Sequence, residues 1–91
     1  MYIPTITSID NALKIYYENG EIGNKEIKVL LNVRSSATIS KLKKNVKSEM
    51  IKRDVPTFNA YKINTVIAYD VWGIDVVDLE NRRKKIKELS L

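Results

Sequence analysis

Asn24-Lys-Glu-Ile-Lys-Val-Leu-Leu-Asn-Val-Arg-Ser-Ser-Ala-Thr-Ile-Ser-Lys-Leu-Lys43 contains two helical patterns with a break between them. Asn24 is a good N-cap, and Ile27, Leu30 and Leu31 recur at helical spacing, which predicts a short helix ending near Asn32. Arg34-Ser35-Ser36 reads as a turn, with Ser35 or Ser36 capping a third helix over about 37–53, roughly 25 Å long. Its apolar positions are Ile39, Leu42, Val46 and Met50, a narrow stripe. At about 100° per residue, Ala37, Lys41, Lys44, Ser48 and Lys52 fall on the opposite side. Thr38 and Asn45 occupy one shoulder, Ser40 and Lys47 the other. Lys43 falls at the apolar edge, a position from which a lysine snorkels.

Upstream, Pro4 pushes Ile3 away from helical backbone, so residues 1–6 read as extended. Thr7 with Asp10 three residues later is a weak capping signal for a first helix over about 8–19. Ile9, Ala12, Leu13, Tyr16 and Tyr17 supply its apolar face, and Asn19-Gly20 ends it, with Gly20 suited to a left-handed cap. Downstream, Pro56 closes the region of the third helix. Phe58-Asn59 then reads as the opening of a fourth helix, with Asn59 as cap and Phe58 packing on Ile63. Tyr61, Ile63, Val66, Ile67, Ala68, Val71 and Trp72 cover most of its circumference, as in a central helix, and Gly73 ends it. Asp75 and Asp78 start a fifth helix that runs through Arg82-Arg83-Lys84-Lys85 and frays near Leu91. No pair of alternating strands joined by a turn is found. The expectation is an all-α fold: one domain over residues 1–91, a compact bundle of about five helices, with no evident β-wing because 54–58 is too short for a hairpin.

Composition narrows the chemistry. The 91 residues are 44% hydrophobic and 30% charged, an ordinary globular balance. There is no Cys and no His, which excludes disulfides, thiol nucleophiles, Cys/His zinc sites and histidine acid–base catalysis. Three glycines, at 20, 23 and 73, cannot build a phosphate-cradling loop. No enzyme is expected, and no cofactor. The net charge of +5 is concentrated: residues 34–53 hold seven basic residues against one acidic, and residues 81–91 hold five against one. Residues 54–80 are acidic, with five acids against one base. The start, Met1 to Asp10, lacks a basic stretch followed by an apolar run, and no segment is long enough to span a bilayer. A soluble, cytoplasmic protein with no membrane partner is expected.

The 24–43 segment resembles the helix-turn-helix of bacterial and phage DNA-binding regulators. Ile27, Leu30 and Leu31 match the family's first helix, and Val33 matches the apolar residue after the turn. Ser36, Thr38, Ile39 and Leu42 match the start of the second. Lys28 stands where the family has a small residue, and Asn32 where it has Gly. Asn tolerates the left-handed turn conformation. Ile39 arrives one residue later than in the tightest repressors, which implies a four-residue turn or a winged-helix-like variant.

The resemblance implies double-stranded DNA as partner, with the 37–53 helix in the major groove. Bases would be read by Ser35, Ser36, Thr38 and Lys41, and phosphates held by Arg34, Lys43, Lys44 and Lys47, with Lys25 as a further candidate. Ser36 reads equally as a plain N-cap. In size and style the chain is similar to regulators or accessory factors of phages and mobile elements. Two other readings remain: a helical protein-interaction adaptor using the acidic 54–80 surface, and a binder of structured RNA. Arg82 to Lys85 reads either as a solvated helix end or as a second phosphate-contacting arm. Asp70, Asp75 and Asp78 could suggest a cation site, but Asp75 and Asp78 read better as helix-start residues favoured by the dipole, and no metal is expected. Tyr2, Tyr16, Tyr17, Tyr61 and Tyr69 fall at core spacing, as does Trp72. Val76, Val77, Leu79, Ile86 and Leu89 exceed what a solvated tail needs, which suggests a homodimer through residues 75–91.

Overall fold

The computed structural model describes residues 5–89; the start around Pro4, Tyr2, and the end of the chain at Leu91 lie outside the described residues. Five helices and two short strands follow one another: α1 (Ile9–Glu18), β1 (Glu21–Ile22), α2 (Asn24–Leu31), α3 (Ser36–Lys52), β2 (Ile63–Asn64), α4 (Thr65–Val71) and α5 (Val76–Leu89). The mostly helical, five-helix expectation holds. The small sheet is the addition.

α1 is capped by Ser8, whose Oγ accepts from the Asn11 amide at 3.0 Å, and not by Thr7. Thr7 instead ties the chain to α2: its amide donates to the Leu30 carbonyl and its hydroxyl to the Val29 carbonyl at 2.6 Å. Those carbonyls belong to the last turn of α2, where the helix itself supplies no partner. Nor does Gly20 form a left-handed cap. Asn19 ends α1 in extended backbone, and both its amide and its side-chain Nδ2 donate to the Ile15 carbonyl. The extended exit leads straight into β1.

α2 is preceded by Gly23 as N-cap, with the Glu26 carboxylate accepting from the Gly23 amide. Asn24, the expected cap, is the first helical residue. At the other end Asn32 adopts the left-handed conformation (φ 52°, ψ 40°), which a short polar side chain tolerates. Residues 32–35 then carry the chain to α3. Ser35 is its N-cap, with Oγ 3.4 Å from the Thr38 amide, so Ser36 is an exposed first-turn residue and not the cap.

α3 and α4 end in the same way. The Val55 amide donates to the Met50 carbonyl and the Asp54 amide to Ile51, while Asp54 takes φ 56°. The Ile74 amide donates to Tyr69 and the Gly73 amide to Asp70, with Gly73 at φ 70°. Each is a Schellman closure, and only the second has the glycine that makes positive φ free of strain.

The fourth helix departs most from expectation. It starts at Thr65, with Asn64 as N-cap accepting from the Ile67 amide, five residues beyond the Asn59 cap the sequence suggests. Phe58 is 83% exposed and does not pack on Ile63, and Tyr61 is 81% exposed. Residues 54–62 form a loop instead. Asn59 shapes it, its Oδ1 accepting from the Tyr61 amide and its carbonyl from the Lys62 amide. Ile63 is fully buried as part of β2, which pairs antiparallel with β1 in the register Glu21↔Asn64, Ile22↔Ile63. A further bond from the Thr65 amide to the Gly20 carbonyl extends the pairing. α2, α3 and the loop thus form one excursion closed by a two-residue ladder.

The core collects Ala12, Leu13 and Ile15 from α1, Ile27, Leu30 and Leu31 from α2, and Ile39, Leu42, Val46 and Met50 from α3. Ile67, Ala68, Tyr69 and Trp72 join from the α4 region, with Ile22 and Ile63 between the layers. The Tyr69 hydroxyl donates to the Ala12 carbonyl at 2.6 Å, linking α4 to α1 inside the core. α5 starts where Asp75 accepts from the Asp78 amide. Its Leu79 is buried, Tyr17 donates to Glu80, and Arg83 pairs with Asp10, so its first half docks on α1. No helix among the described residues is long and apolar enough to cross a membrane.

Candidate nucleic-acid interface

α3 buries Ile39, Leu42, Val46 and Met50 and turns its other side to solvent. Ser36, Ala37, Ser40, Lys41, Lys44 and Ser48 are all exposed, as are Arg34 and Ser35 in the turn before it. Thr38 is half-buried on one shoulder. The outer face over residues 36–48 therefore presents short side chains and lysines, with no acid among them. Among the described residues the ion pairs engage Arg53 with Glu49 and Asp70, Arg82 with Asp78, and Arg83 with Asp10. None of them neutralises a cation between residues 34 and 48.

Two of the expected phosphate-contacting lysines have other work. The Lys43 ammonium donates to Asn24 Oδ1 at 3.0 Å and to the Tyr61 carbonyl at 2.6 Å. The Lys47 ammonium donates to the Ala60 carbonyl at 2.8 Å. Both lie half-buried on the shoulder of α3 that faces the 54–62 loop. Burial, and secondarily the charge of Lys47, pushes Lys43 below the usual lysine range. The edge position read from the helical angles is thus correct for Lys43, but its head reaches backbone carbonyls of a loop as well as the surface. Both ammonium groups spend donors on holding the loop.

Ser40, Lys43, Lys44 and Lys47 line one shallow surface depression along this shoulder. Lys25 is exposed at the start of α2. Arg34, Ser35, Ser36, Lys41 and Lys44 are thus brought to one accessible end and face of α3, and Lys43 and Lys47 to its loop-facing edge.

The sequence reading passed over Phe58 and Tyr61 as surface residues, and Asn24 as a partner of Lys43. Pro56 and Asn59, both turn formers, are the signals that break a continuous helix there. Asp70, Asp75 and Asp78 do not converge: Asp70 pairs with Arg53, Asp75 caps α5 and Asp78 pairs with Arg82. The expected tyrosine core is also only partly realised. Tyr69 is buried and Tyr16 half-buried against it, while Tyr17 and Tyr61 are exposed. Trp72 is core, 5% exposed.

No family model matches this sequence, and neither a curated protein nor a solved structure shows significant similarity to it.

Proposed function

We propose that this chain is a small DNA-binding protein, a transcriptional regulator or accessory factor, that inserts α3 into the major groove of double-stranded DNA. The observation that carries the reading is the outer face of α3. Over three turns it holds short side chains and unneutralised lysines and no acid, and it follows α2 after only four residues. Short residues let a helix approach base edges closely, and lysines and an arginine at its margins meet phosphates. Ser36, Thr38 and Lys41 sit toward the N-terminal end of α3, where a recognition helix contacts bases. Arg34, Lys44 and Lys25 are the free phosphate contacts, with Lys43 and Lys47 contributing field from the edge.

Pairing of two copies through residues 75–91 rests on fewer residues than the sequence offers. Leu79 is buried and Val76 half-buried against the chain's own core, which leaves Val77, Ile86 and Leu89 exposed. Lys84, Lys85 and Lys87, exposed on the same helix, add like charge beside that remnant. A monomer on a single asymmetric site is therefore the simpler form of the proposal.

Selection of bound sequences from random duplex DNA, followed by titration across salt, tests the reading. With Arg34, Lys44 and Lys25 on phosphates, log affinity against log salt has a slope of roughly −2.7. A slope near zero, or no binding at low salt, refutes it. Preference for A-form RNA duplex over B-DNA moves the function to RNA.

A further inference from the structure

The 54–62 loop carries the two largest exposed aromatic surfaces of the described chain, Phe58 at 83% and Tyr61 at 81% exposure. Neither is there to fill the core, and neither ring makes an aromatic contact among the described residues. The loop that bears them is nevertheless fixed. Lys43 holds the Tyr61 carbonyl, Lys47 holds the Ala60 carbonyl, and Asn59 closes the turn within the loop. Both clamps come from the same shoulder of α3, so the loop lies one lysine side chain from the basic face. The β1–β2 ladder anchors its far end at Ile63.

Exposed rings on a mobile loop lose their ordering entropy on contact, whereas rings on a braced loop are pre-organised. The surroundings also restrict the partner. Lys43 and Lys47 hold the loop backbone from the basic edge of α3, and Lys62 follows Tyr61 in the chain, a setting that favours a polyanion with apolar faces over a protein surface without an acidic patch. DNA has both, phosphates outside and deoxyribose faces between them.

Resting on the reading of α3 as the groove helix, we infer that the 54–62 loop is a second DNA contact. With α3 in the major groove, Phe58 and Tyr61 pack on the deoxyribose faces of the strand that borders the groove on the Lys43–Lys47 side. This contact is apolar and releases no counterions. It adds affinity without adding to the salt slope, and Lys43 and Lys47 act as positioning residues for it.

The test compares the full-length protein with Phe58→Ala/Tyr61→Ala and with Lys44→Ala, on a fluorescein-labelled duplex of random sequence, across a range of salt. The double aromatic variant should keep the melting temperature of the parent, because both rings are exposed. It should bind about fivefold to twentyfold more weakly at every salt, with the parent slope. Lys44→Ala should instead lower the slope by about 0.9. If the parent binds with the expected slope and the aromatic variant binds equally well, the loop is not a DNA contact, while the α3 reading stands. Rings that serve a protein partner give this same result. A changed slope in the aromatic variant also overturns the inference, since the rings would then act only through the lysines. If the parent itself does not bind, both readings fall together.

Discussion

Ile63→Ala and Tyr61→Ala, two residues apart, are expected to differ in their effects by several kcal/mol. Ile63 is fully buried in β2 opposite Ile22, itself fully buried, between the α2–α3 excursion and α4. Truncating a buried isoleucine costs about 2–5 kcal/mol, from lost transfer energy and the cavity left behind. In a domain of this size each kcal/mol shifts the melting temperature by about 4–8 °C, so Ile63→Ala should lower it by roughly 8–40 °C. Tyr61 is 81% exposed and its structural tie is through its backbone carbonyl, so Tyr61→Ala should stay within about 0.5 kcal/mol. Urea denaturation followed by the fluorescence of Trp72, the chain's single tryptophan, reads both variants against the parent. Ile22→Ala completes a double-mutant cycle. The two isoleucines face each other across the ladder, so the double variant should lose less than the summed single losses. If Tyr61→Ala, or Phe58→Ala, costs as much as Ile63→Ala, residues 58–72 form one helix with Phe58 packed on Ile63, and the loop described here does not exist.

Asp54→Gly should stabilise the fold by about 0.5–1 kcal/mol, because Asp54 holds φ 56° in the closure of α3, where a side chain is strained and glycine is not; a lower melting temperature would show that the Asp54 side chain does more than close the helix. Burial, and to a lesser degree the neighbouring Tyr16 charge, raises the Tyr69 hydroxyl above the ordinary tyrosine value of 10.0. Its folded pKa is thus above its unfolded one, so the associated stability is complete below pH about 10 and is lost as pH rises further. Tyr69→Phe should cost about 0.5–1.5 kcal/mol at neutral pH through loss of the bond to Ala12. It should also flatten the fall in melting temperature above pH about 10, and an unchanged alkaline profile would exclude Tyr69 as its source.

The stripes of α1, α2 and α3 were legible because each is a local pattern: a side chain's face follows from its position modulo 3.6 residues, and Ile27, Leu30, Leu31, Ile39, Leu42, Val46 and Met50 are all buried as their spacing requires. The same arithmetic exposed Lys41 and Lys44 and put Lys43 at the edge. Caps were less secure. Thr7 and Ser8, Asn24 and Gly23, and Ser35 and Ser36 offer adjacent candidates whose choice depends on where the flanking backbone must go. Thr7 is taken by α2 carbonyls, and Asn24 by Lys43.

Residues 58–72 mislead for a different reason. Their apolar run fits a helix all round, and β2 is too short for period-two alternation to show. Only a partner distant in the chain, Ile22 on β1, makes extended backbone at Ile63 the better choice, by supplying both its ladder and its burial. Once that pair forms, residues 54–62 have to span from the end of α3 to β2, Phe58 and Tyr61 are left in solvent, and Lys43 and Lys47 turn toward the loop carbonyls. Sequence alone therefore determined α1, α2 and α3, the basic face and the small-residue end of α3, because these depend on neighbours within four or five residues. Tertiary structure decided the sheet, the loop and which lysines remain free, because those depend on contacts between residues 13 to 43 positions apart.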